Sequence, residues 1–464
     1  MIRCSIFLWG FLSALSGIIA QTSSHSSHHL IDASIEATME RMHIPGLVIA
    51  VSKEGKTIYS KGFGKSDVKN NIDVSPMTRF RMASVSKLIT VTAVAKLMQD
   101  GKIDIDLPIE NYLPDYPHAG EGVTTRLLLS HQAGIRHYEY KDFSKARPYT
   151  STTDALSIFI DDPLIHAPGS GYKYSTYAFT LIQAVIEAAS GKSFIEYLDD
   201  DVLSPLNMEH TSADTQSPDG QLISKLYRFD GNMNNESGWD DSSYKFGGGG
   251  MLSTAEDMLL LGNAYLSNHF LKSKTIESLY TPQVEMPGAL PTTHIGLTWR
   301  ISEDEAGNTY YHHAGSMNGA RSFLMVSPEE ELVVSVMSNN GQLRNIDVFA
   351  RAIANNLLEK GKSDEKQQYT FSSDHHDYTA SVSIETTQPT TTMQIKVDTI
   401  IDQSLQMEVA SINVKDGKTF YNLHSTPEML YYKMEIDTDP YLMVYIKNSE
   451  DEWEKVEFEK MRSL

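Results

Sequence analysis

The stretch from Arg81 to Thr90 constrains this chain most, because in it a serine and a lysine open a long apolar helix. An apolar run that begins at Ser84 continues to Met98 and stops before a glycine, which predicts a helix over these residues. Lys87 lies three positions after Ser84, and residues at this spacing share one face of a helix. We therefore expect the hydroxyl of Ser84 and the amine of Lys87 to lie close together.

This pair has the chemistry of an activated nucleophile. A serine hydroxyl becomes nucleophilic when a neighbouring base takes its proton. A lysine amine is such a base when burial, or the positive end of a helix, lowers its pKa. Ser84 and Lys87 are therefore the candidate nucleophile and its partner. The alternative is a plain N-cap serine followed by a solvated lysine. The same spacing recurs without a long apolar helix at Ser66/Lys69, Ser170/Lys173 and Ser242/Lys245.

The N-terminal residues Met1–Ala20 have the order of a secretion signal. A short basic start is followed by a nearly continuous apolar run and a small residue. The run is shorter than the roughly 20 apolar residues that span a bilayer, and an uncleaved anchor is the alternative. A polar leader over 21–28 follows, and we expect a secreted or periplasmic protein. Cys4 is the only cysteine, so the mature chain would have no disulfide and no thiol ligand.

Charge and histidine content bear on the partners of the chain. The formal net charge of −21 argues against nucleic acid or an anionic membrane surface as a partner. It leaves a small-molecule or peptide substrate open, and it does not fix the oligomeric state. The 16 histidines form no His-x-His-x-Asp or His-Glu-x-x-His pattern. We therefore expect no catalytic metal and no other cofactor.

The order of the predicted elements indicates an α/β (α+β) fold, with an antiparallel sheet flanked by helices and an all-helical lobe. The sheet takes its strands from both ends of a domain, and the lobe extends from Ser84 to about Leu271. A cleft between two lobes is a usual place for a substrate. The predicted elements of the sheet layer are a helix over 30–42, a hairpin of 47–51 and 57–63, a hairpin of 323–326 and 332–337, and a helix over 346–358.

A second candidate stretch, Pro168–Thr176, lies just before an apolar helix predicted over 179–189. Its Tyr174 is a candidate for proton transfer. A phenol close to a lysine ammonium loses its proton below its usual pKa of about 10, because the cation favours the phenolate. Tyr174 would then carry a proton to the leaving group. The alternative is a tyrosine packed under the loop with its hydroxyl hydrogen-bonded.

A third stretch, Thr309–Ser316, is predicted as a strand that runs into a turn of small residues. Small residues let a substrate backbone lie along the strand edge, where N–H groups are unpaired. The N–H of Ser316, with that of Ser84, is a candidate oxyanion hole, and losing one such donor typically costs about 10²–10³ in rate. His313 would either bind a substrate carboxylate or steady Tyr174.

Together these stretches resemble the serine β-lactamase and penicillin-binding-protein family. The class C-like branch is the most similar; it includes D-alanyl-D-alanine carboxypeptidases, esterases and the mitochondrial serine β-lactamase-like protein. The resemblance covers roughly His29–Gly361. It rests on Ser84–Lys87 for the family motif S-x-x-K, on Tyr174–Thr176 for Y-x-N, and on His313–Gly315 for K/H-x-G. Two further stretches resemble the family, Leu127–Gly134 and Gly248–Met258.

The resemblance implies a covalent mechanism. Ser84 would attack a carbonyl and become acylated, Lys87 and Tyr174 would move the protons, and water would hydrolyse the ester. The backbone N–H groups of Ser84 and Ser316 would stabilise the oxyanion. The residues implied in substrate binding are Thr176, His313, Ala314 and Gly315.

Two departures from the family motifs bear on the substrate. Thr176 replaces an asparagine, and His313 replaces the lysine of true class C β-lactamases. Both changes favour a peptidase, amidase or esterase over a β-lactamase. We expect a secreted serine hydrolase that acts on a D-Ala-type peptide, another peptide, an ester or a β-lactam. The alternative is a non-catalytic binding or assembly protein that retains the fold.

The pattern of apolar residues changes after a polar segment over 362–368. From Tyr369 onward, short alternating apolar runs and a tight turn at Asp416–Gly417 predict a separate antiparallel β domain, either a sandwich or a barrel. The sequence leaves two functions open for this domain: a spacer, or a module that binds a ligand or the cell wall. The predicted division is a signal peptide over 1–20, a leader over 21–28, a hydrolase domain over 29–361, a linker over 362–368 and a C-terminal β domain over 369–464.

Overall fold

The computed structural model describes most of the chain between residues 28 and 460. The described residues are 28, 31–139, 142, 147–215, 222–238, 241–287, 293–303, 307–343, 346–358, and strands within 367–460. The predicted signal peptide and residues 21–27 of the predicted leader lie outside them. One compact unit comprises residues 42–350, and the other comprises the described parts of 1–41 and 351–464.

The strands of the unit 42–350 come largely from its two ends. In chain order they are β1 (Gly46–Lys53), β2 (Lys56–Asp67), β3 (Ile72–Asp73), β4 (Phe80–Arg81), β5 (Ser212–Ala213), β6 (Leu226–Phe229), β7 (Asn234–Ser237), β8 (Met251–Ser253), β9 (Val284–Glu285), β10 (His294–Ile295), β11 (Arg300–Glu303), β12 (Thr309–Met317), β13 (Ala320–Ser327) and β14 (Leu332–Ser338). Nine of these strands form one antiparallel sheet in the order β3-β2-β1-β14-β13-β12-β11-β10-β9. Both hairpins predicted from the sequence are confirmed.

The helices lie mainly in the middle of the chain. They are α1 (31–41), α2 (Ser86–Gln99), α3 (Thr125–Leu129), α4 (Thr152–Leu156), α5 (Tyr177–Ser190), α6 (Phe194–Leu198), α7 (Phe246–Gly249), α8 (Ala255–Leu266), α9 (Ser273–Tyr280) and α10 (Ile346–Leu357). The predicted helices over 30–42 and 346–358 are thus confirmed over the residues that the structure describes. In that part of the chain, no helix combines the length and the apolar character needed to cross a bilayer.

The centre of the sheet is apolar because its strands are covered on both faces. β1 and β14 pair antiparallel, with Ile49 opposite Val336, and nearly every residue of both strands is buried. Helix α8 packs on β1, β13 and β14. The approach is close at Gly262, where a Cβ atom would lie 2.3 Å from the Val333 side chain. The predicted fold class, an antiparallel sheet flanked by helices, is confirmed.

The second lobe of this unit is built around α2, whose residues are almost all buried. The prediction of an all-helical lobe needs one correction. The lobe also contains a three-stranded sheet, β4-β8-β5, and the hairpin β6–β7. The small sheet forms because the segment that enters α2 is bonded to the segment that follows α7: Phe80 pairs with Ser253. This pairing holds the approach to Ser84.

The C-terminal strands form a closed antiparallel barrel, with neighbours in sequence order. Of the two forms that the sequence left open, the structure has the barrel. Gln367 and Gln368, which were assigned to the linker, begin its first strand. The predicted turn at Asp416–Gly417 lies outside the described residues, and the predicted domain boundaries stay predictions. The strands are β15 (Gln367–Ser372), β16 (Thr379–Thr387), β17 (Thr390–Asp398), β18 (Gln403–Lys415), β19 (Lys418–Ser425), β20 (Tyr432–Glu435), β21 (Tyr441–Lys447) and β22 (Trp453–Lys460).

Candidate active site

Ser84 lies in a short 3-10 helix, Ala83–Val85, that leads directly into α2. No side chain caps either helix, so the interpretation of Ser84 as a plain N-cap is wrong. The preceding residue, Ala83, has φ of 45°. A non-glycine residue in this left-handed region costs about 1–3 kcal/mol, and such strain persists where the surrounding packing imposes it. The turn therefore holds the Ser84 hydroxyl where the helix alone would not.

Two neighbouring segments impose this turn. Gly315 of β12 packs so closely that a Cβ atom there would lie 2.3 Å from the carbonyl oxygen of Met82. The Ser322 hydroxyl of β13 donates a hydrogen bond to the same carbonyl. The N–H of Met82 donates to the carbonyl of Met251 at 3.0 Å. Contacts from β12 and β13 and from the second lobe thus fix Met82, the residue that precedes the strained Ala83.

The three predicted catalytic side chains meet at this turn. The Tyr174 hydroxyl donates to Ser84 Oγ at 2.8 Å, and Lys87 Nζ donates to Ser84 Oγ at 3.3 Å. Lys87 Nζ also donates to Thr176 Oγ1 at 3.3 Å and to the carbonyl oxygen of Gly248 at 2.5 Å. Lys87 has no exposed surface, so its interpretation as a solvated lysine is wrong. The expected closeness of Ser84 and Lys87 is confirmed.

Burial and mutual charge perturb the two titratable groups. Burial lowers the pKa of Lys87 from its usual 10.5, although the nearby Tyr174 raises it in part. Burial raises the pKa of Tyr174, but the charges of Lys87 and Arg300 outweigh this, so that the pKa lies below 10.0. The amine and the phenol therefore form a coupled pair that can pass a proton to and from Ser84.

Ser84 opens onto a cavity of about 410 Å³ in the unit 42–350. Besides Ser84, three of the predicted substrate or oxyanion residues lie on its wall: Thr176, Ala314 and Ser316. Two cations also lie there, Arg300 and Lys245. The remaining lining residues are Ala83, Ser84, His137, Tyr138, Tyr174, Gly248, Gly249, Met317 and Asn318. A cavity of this size, with a nucleophile and two cations on its wall, suits a small molecule or a peptide end.

The third predicted motif lies on β12, but not all of it faces the cavity. The predicted small-residue turn is wrong, since the strand continues through these residues to Met317. His313 is 1% exposed, and its Nδ1–H donates to the carbonyl of Ala314 at 2.8 Å. Burial, with the charges of Arg300 and Lys87, holds the pKa of His313 well below 6.5. A neutral, buried imidazole 6.5 Å from the Tyr174 ring suits the steadying role better than carboxylate binding.

Sequence reasoning missed both cations of the cavity wall. Arg300 lies on β11, beside β12, and an arginine alone on a strand carries no motif. Among the residues that the structure describes, Arg300 forms no ion pair with a carboxylate. Lys245 belongs to one of the Ser-x-x-Lys pairs set aside because no long helix follows it. Gly248, which receives the Lys87 hydrogen bond, could have been found, since it opens a stretch that resembles the family.

Over the described ranges, no group of three or more His, Cys, Asp or Glu side chains is arranged to hold a metal ion.

Comparison with known proteins places this geometry in context. The family model described as Beta-lactamase matches residues 31–355, well over half of the chain. The chain is similar to the serine beta-lactamase-like protein LACTB, mitochondrial, of Bos taurus, at 29% identity over 434 residues, with 70% of this chain and 76% of that protein covered.

Two solved structures share the fold at low sequence identity. The octameric penicillin-binding protein homologue from Pyrococcus abyssi matches with a TM-score of 0.65 at 19% identity, over 93% of this chain and 99% of that one. The D-amino acid amidase from Ochrobactrum anthropi SV3 matches with a TM-score of 0.61 at 21% identity, over 72% of this chain and 98% of that one. These two likenesses bear on the fold alone.

Proposed function

The chain belongs to the beta-lactamase family, and from this premise we propose that it is a serine hydrolase that cleaves an amide or ester through an acyl-enzyme on Ser84. One observation carries the proposal. The Ser84 hydroxyl, on the wall of a cavity, accepts hydrogen bonds from Tyr174 at 2.8 Å and from the fully buried Lys87 at 3.3 Å. The phenol and the amine thus lie within hydrogen-bonding distance of the nucleophile, and the phenol becomes a proton acceptor for it once ionised.

Acylation proceeds by attack of Ser84 Oγ on the substrate carbonyl carbon. The proton of the hydroxyl passes to Tyr174, held as phenolate by the ammonium of Lys87. The carbonyl oxygen becomes an oxyanion that the backbone N–H groups of Ser84 and Ser316 stabilise. The intermediate collapses when the bond to the leaving nitrogen or oxygen breaks, and Tyr174 returns its proton to that atom.

Deacylation repeats the same steps with water. A water molecule gives a proton to Tyr174 and attacks the ester carbon. When the bond from this carbon to Ser84 Oγ breaks, Tyr174 returns the proton to Ser84. The acid product then leaves, and Ser84 is restored.

We propose further that the substrate carries a negative charge close to the scissile bond. Arg300 and Lys245 lie on the cavity wall. A guanidinium recognises a carboxylate with paired, charge-assisted hydrogen bonds worth about 1.5–3 kcal/mol. The two cations favour a substrate with a free carboxylate over an uncharged ester.

The Arg300 proposal is tested by substitution. Arg300→Ala should raise KM for a carboxylate-bearing peptide by roughly 10–100-fold, since each 1.4 kcal/mol is tenfold in affinity. KM for the matched peptide amide should change little. Arg228→Ala, an exposed arginine on β6, is the control. Equal loss on both substrates would contradict a carboxylate contact.

The acyl-enzyme is tested by covalent labelling. Incubation with a fluorophosphonate and with a fluorescent penicillin, followed by intact mass and peptide mapping, should place a single adduct on Ser84. Turnover should then be sought over a panel of D-Ala-D-Ala peptides, L-peptides, short-chain esters and β-lactams. Ser84→Ala should remove both the adduct and the turnover.

The alternative is a binding or assembly protein that retains the fold without catalysis. The two motif departures and the C-terminal barrel favour it, whereas the hydrogen bonds among Ser84, Lys87 and Tyr174 speak against it. If no probe labels the wild-type chain and Ser84→Ala leaves any ester hydrolysis unchanged, this alternative replaces the enzyme.

We also propose that the protein is exported, as the order of residues in Met1–Ala20 predicts. The relative from Bos taurus bears a mitochondrial name, but mitochondrial transit peptides are rich in arginine, and Arg3 is the only charged residue here. Mature protein recovered outside the cytoplasm should begin at Gln21. Recovery of the protein in mitochondria would contradict export.

A further inference from the structure

The residues 131–137 lie against the loop that carries Tyr174, and hydrogen bonds join the two segments. The N–H of Lys173 donates to the carbonyl of His131 at 2.9 Å, and the N–H of Ser175 donates to Nδ1 of the same residue at 3.2 Å. The N–H of Thr176 donates to Nδ1 of His137 at 3.1 Å. Two imidazoles thus accept the backbone N–H groups of the two residues that follow Tyr174.

The segment that presents these imidazoles is itself firmly held. The guanidinium of Arg136, 7% exposed, pairs with Asp142 at 2.7 Å and with Asp162 at 2.5 Å. The Ser175 hydroxyl donates to the carbonyl of Arg136 at 2.7 Å. Because the ion pairs of Arg136 hold the segment that carries the two imidazoles, these rings can fix the position of the Tyr174 loop.

The same two rings also contact Tyr174 directly. The ring of His131 lies 4.4 Å from the Tyr174 ring, tilted by 40°. The ring of His137 lies 5.6 Å from it, edge-on at 80°. Each imidazole therefore contacts the phenol ring and also bonds the backbone just after it.

These hydrogen bonds require neutral imidazoles, because a protonated ring nitrogen cannot accept. Burial is the largest cause of a low pKa at both residues. It acts with Lys87 and Arg300 to hold the pKa of His131 well below 6.5, and with Lys87, Lys173 and Lys245 to hold that of His137 at about 4. The groups that face the two rings are Lys87, Lys173, Lys245, Arg300, Tyr172, Tyr174, Tyr138 and Phe179.

We propose that His131 and His137 are positioning residues, which act as neutral acceptors to hold Tyr174 against Ser84 and Thr176 against Lys87. The inference rests on the proposed function, because it concerns the same proton transfer. Neither imidazole takes a proton from the substrate in this role. The consequence is that an uncharged acceptor at each Nδ1 position, and not a histidine as such, is what the reaction needs.

The test compares an acceptor with an apolar side chain at position 137. His137→Asn retains an oxygen acceptor near the Nδ1 position, and His137→Leu does not. We expect His137→Leu to slow acylation of Ser84 by about 10²-fold, the typical cost of a 1 Å misplacement. His137→Asn should stay within about threefold of wild type on this scale. Matched substitutions at His269, an exposed histidine, are the controls. Equal losses in the two His137 variants, or no loss in either, would overturn the proposal.

A second comparison separates positioning from general damage. His131→Asn and His131→Leu are measured in the same way, with thermal unfolding alongside. In a Tyr174→Phe background, the acceptor should no longer matter, so His137→Leu should add little to the loss. Additive losses in the double variant would contradict action through Tyr174.

Nitrogen NMR of histidine-labelled wild-type protein tests the geometry without any turnover. The signals lost in His131→Asn and His137→Asn should be those of neutral rings with an unprotonated Nδ1, and they should stay neutral at pH 5.5. Titration of either ring near 6.5 would overturn the inference, even in an active enzyme. Failure of Ser84 to label, with both rings neutral, would instead count against the proposed function alone.

Discussion

The ammonium of Lys87 has no exposed surface, and it has acceptors on Ser84, Thr176 and Gly248. A buried charge is tolerated only where it is paired and hydrogen-bonded. All three acceptors are neutral oxygens, and a phenolate at Tyr174 would supply the compensating negative charge. Burying Lys87 costs free energy, and the same residue lowers the barrier for proton transfer.

Removal of the phenol oxygen alone should separate chemistry from packing. Tyr174→Phe deletes the hydroxyl that bonds Ser84 but keeps the ring against His131. We expect kcat to fall by about 10²–10⁴, the usual contribution of a general acid or base. The thermal midpoint should change little. Rapid labelling of Ser84 by a fluorophosphonate at the wild-type rate would contradict a role for this tyrosine.

At the scale of elements, β12 acts as a template for the turn that carries the nucleophile. Gly315 allows this because its missing Cβ leaves room for the carbonyl of Met82 and for the hydroxyl of Ser322. The strained Ala83 follows Met82 directly. Strand packing, and not helix propensity, therefore sets the direction of the Ser84 side chain.

A methyl group at Gly315 should disturb both stability and rate. Its carbon would lie 2.1 Å from Ser322 Oγ and 2.3 Å from the carbonyl oxygen of Met82, so both clashes must be relieved by a shift of β12 or of these neighbours. We expect Gly315→Ala to lower the free energy of unfolding by about 1–3 kcal/mol and to slow acylation. Gly238→Ala, with nothing within 4 Å of the added carbon, is the control in denaturant unfolding. Wild-type stability and rate would contradict the template role.

At the scale of the whole molecule, three buried imidazoles link folding to pH. Burial lowers the pKa of His131 and His313 well below 6.5 and that of His137 to about 4. In the unfolded chain each would bind a proton near 6.5. Their stabilising contribution is therefore complete above pH 6.5 and is lost as the pH falls through the lower pKa values of the folded state.

This linkage should be visible in thermal unfolding. We expect the midpoint to fall as the pH is lowered from 6.5 to 5, a range that lies above the usual pKa values of Asp and Glu. His131→Asn removes one titrating group, so the thermal midpoint should depend less steeply on pH. A profile that stays level over this range, or that is unchanged by the substitution, would show that these rings are not neutral in the folded protein.

The proposed division of the whole chain can be tested by limited proteolysis. The predicted linker over 362–368 contains Lys362 and Lys366. Brief trypsin treatment should release two stable fragments whose masses correspond to residues 29–361 and 369–464, within a few residues. Stable fragments that end elsewhere would move the proposed boundary.

Much of the candidate site was predictable because its residues sit at element boundaries. The Ser-x-x-Lys spacing at the start of an apolar helix identified Ser84 and Lys87, although strand packing sets the direction of the Ser84 side chain. Tyr174 was identified because it lies in the loop just before another apolar helix. Arg300 was not predictable, because it enters the cavity only through the pairing of β11 with β12. The hydrogen bonds from the Tyr174 loop to His131 and His137 also join segments far apart in the chain.

Most of the elements and the order of the three motifs follow from the sequence alone, because helix and strand periods act over a few neighbouring residues. Three features depend on the tertiary structure: Lys87 is buried, Ala83 is strained, and His313 is buried without lining the cavity. Burial, strain and pKa depend on which segments pack together across the fold. Such contacts arise from the sum of many weak interactions, which no local pattern records.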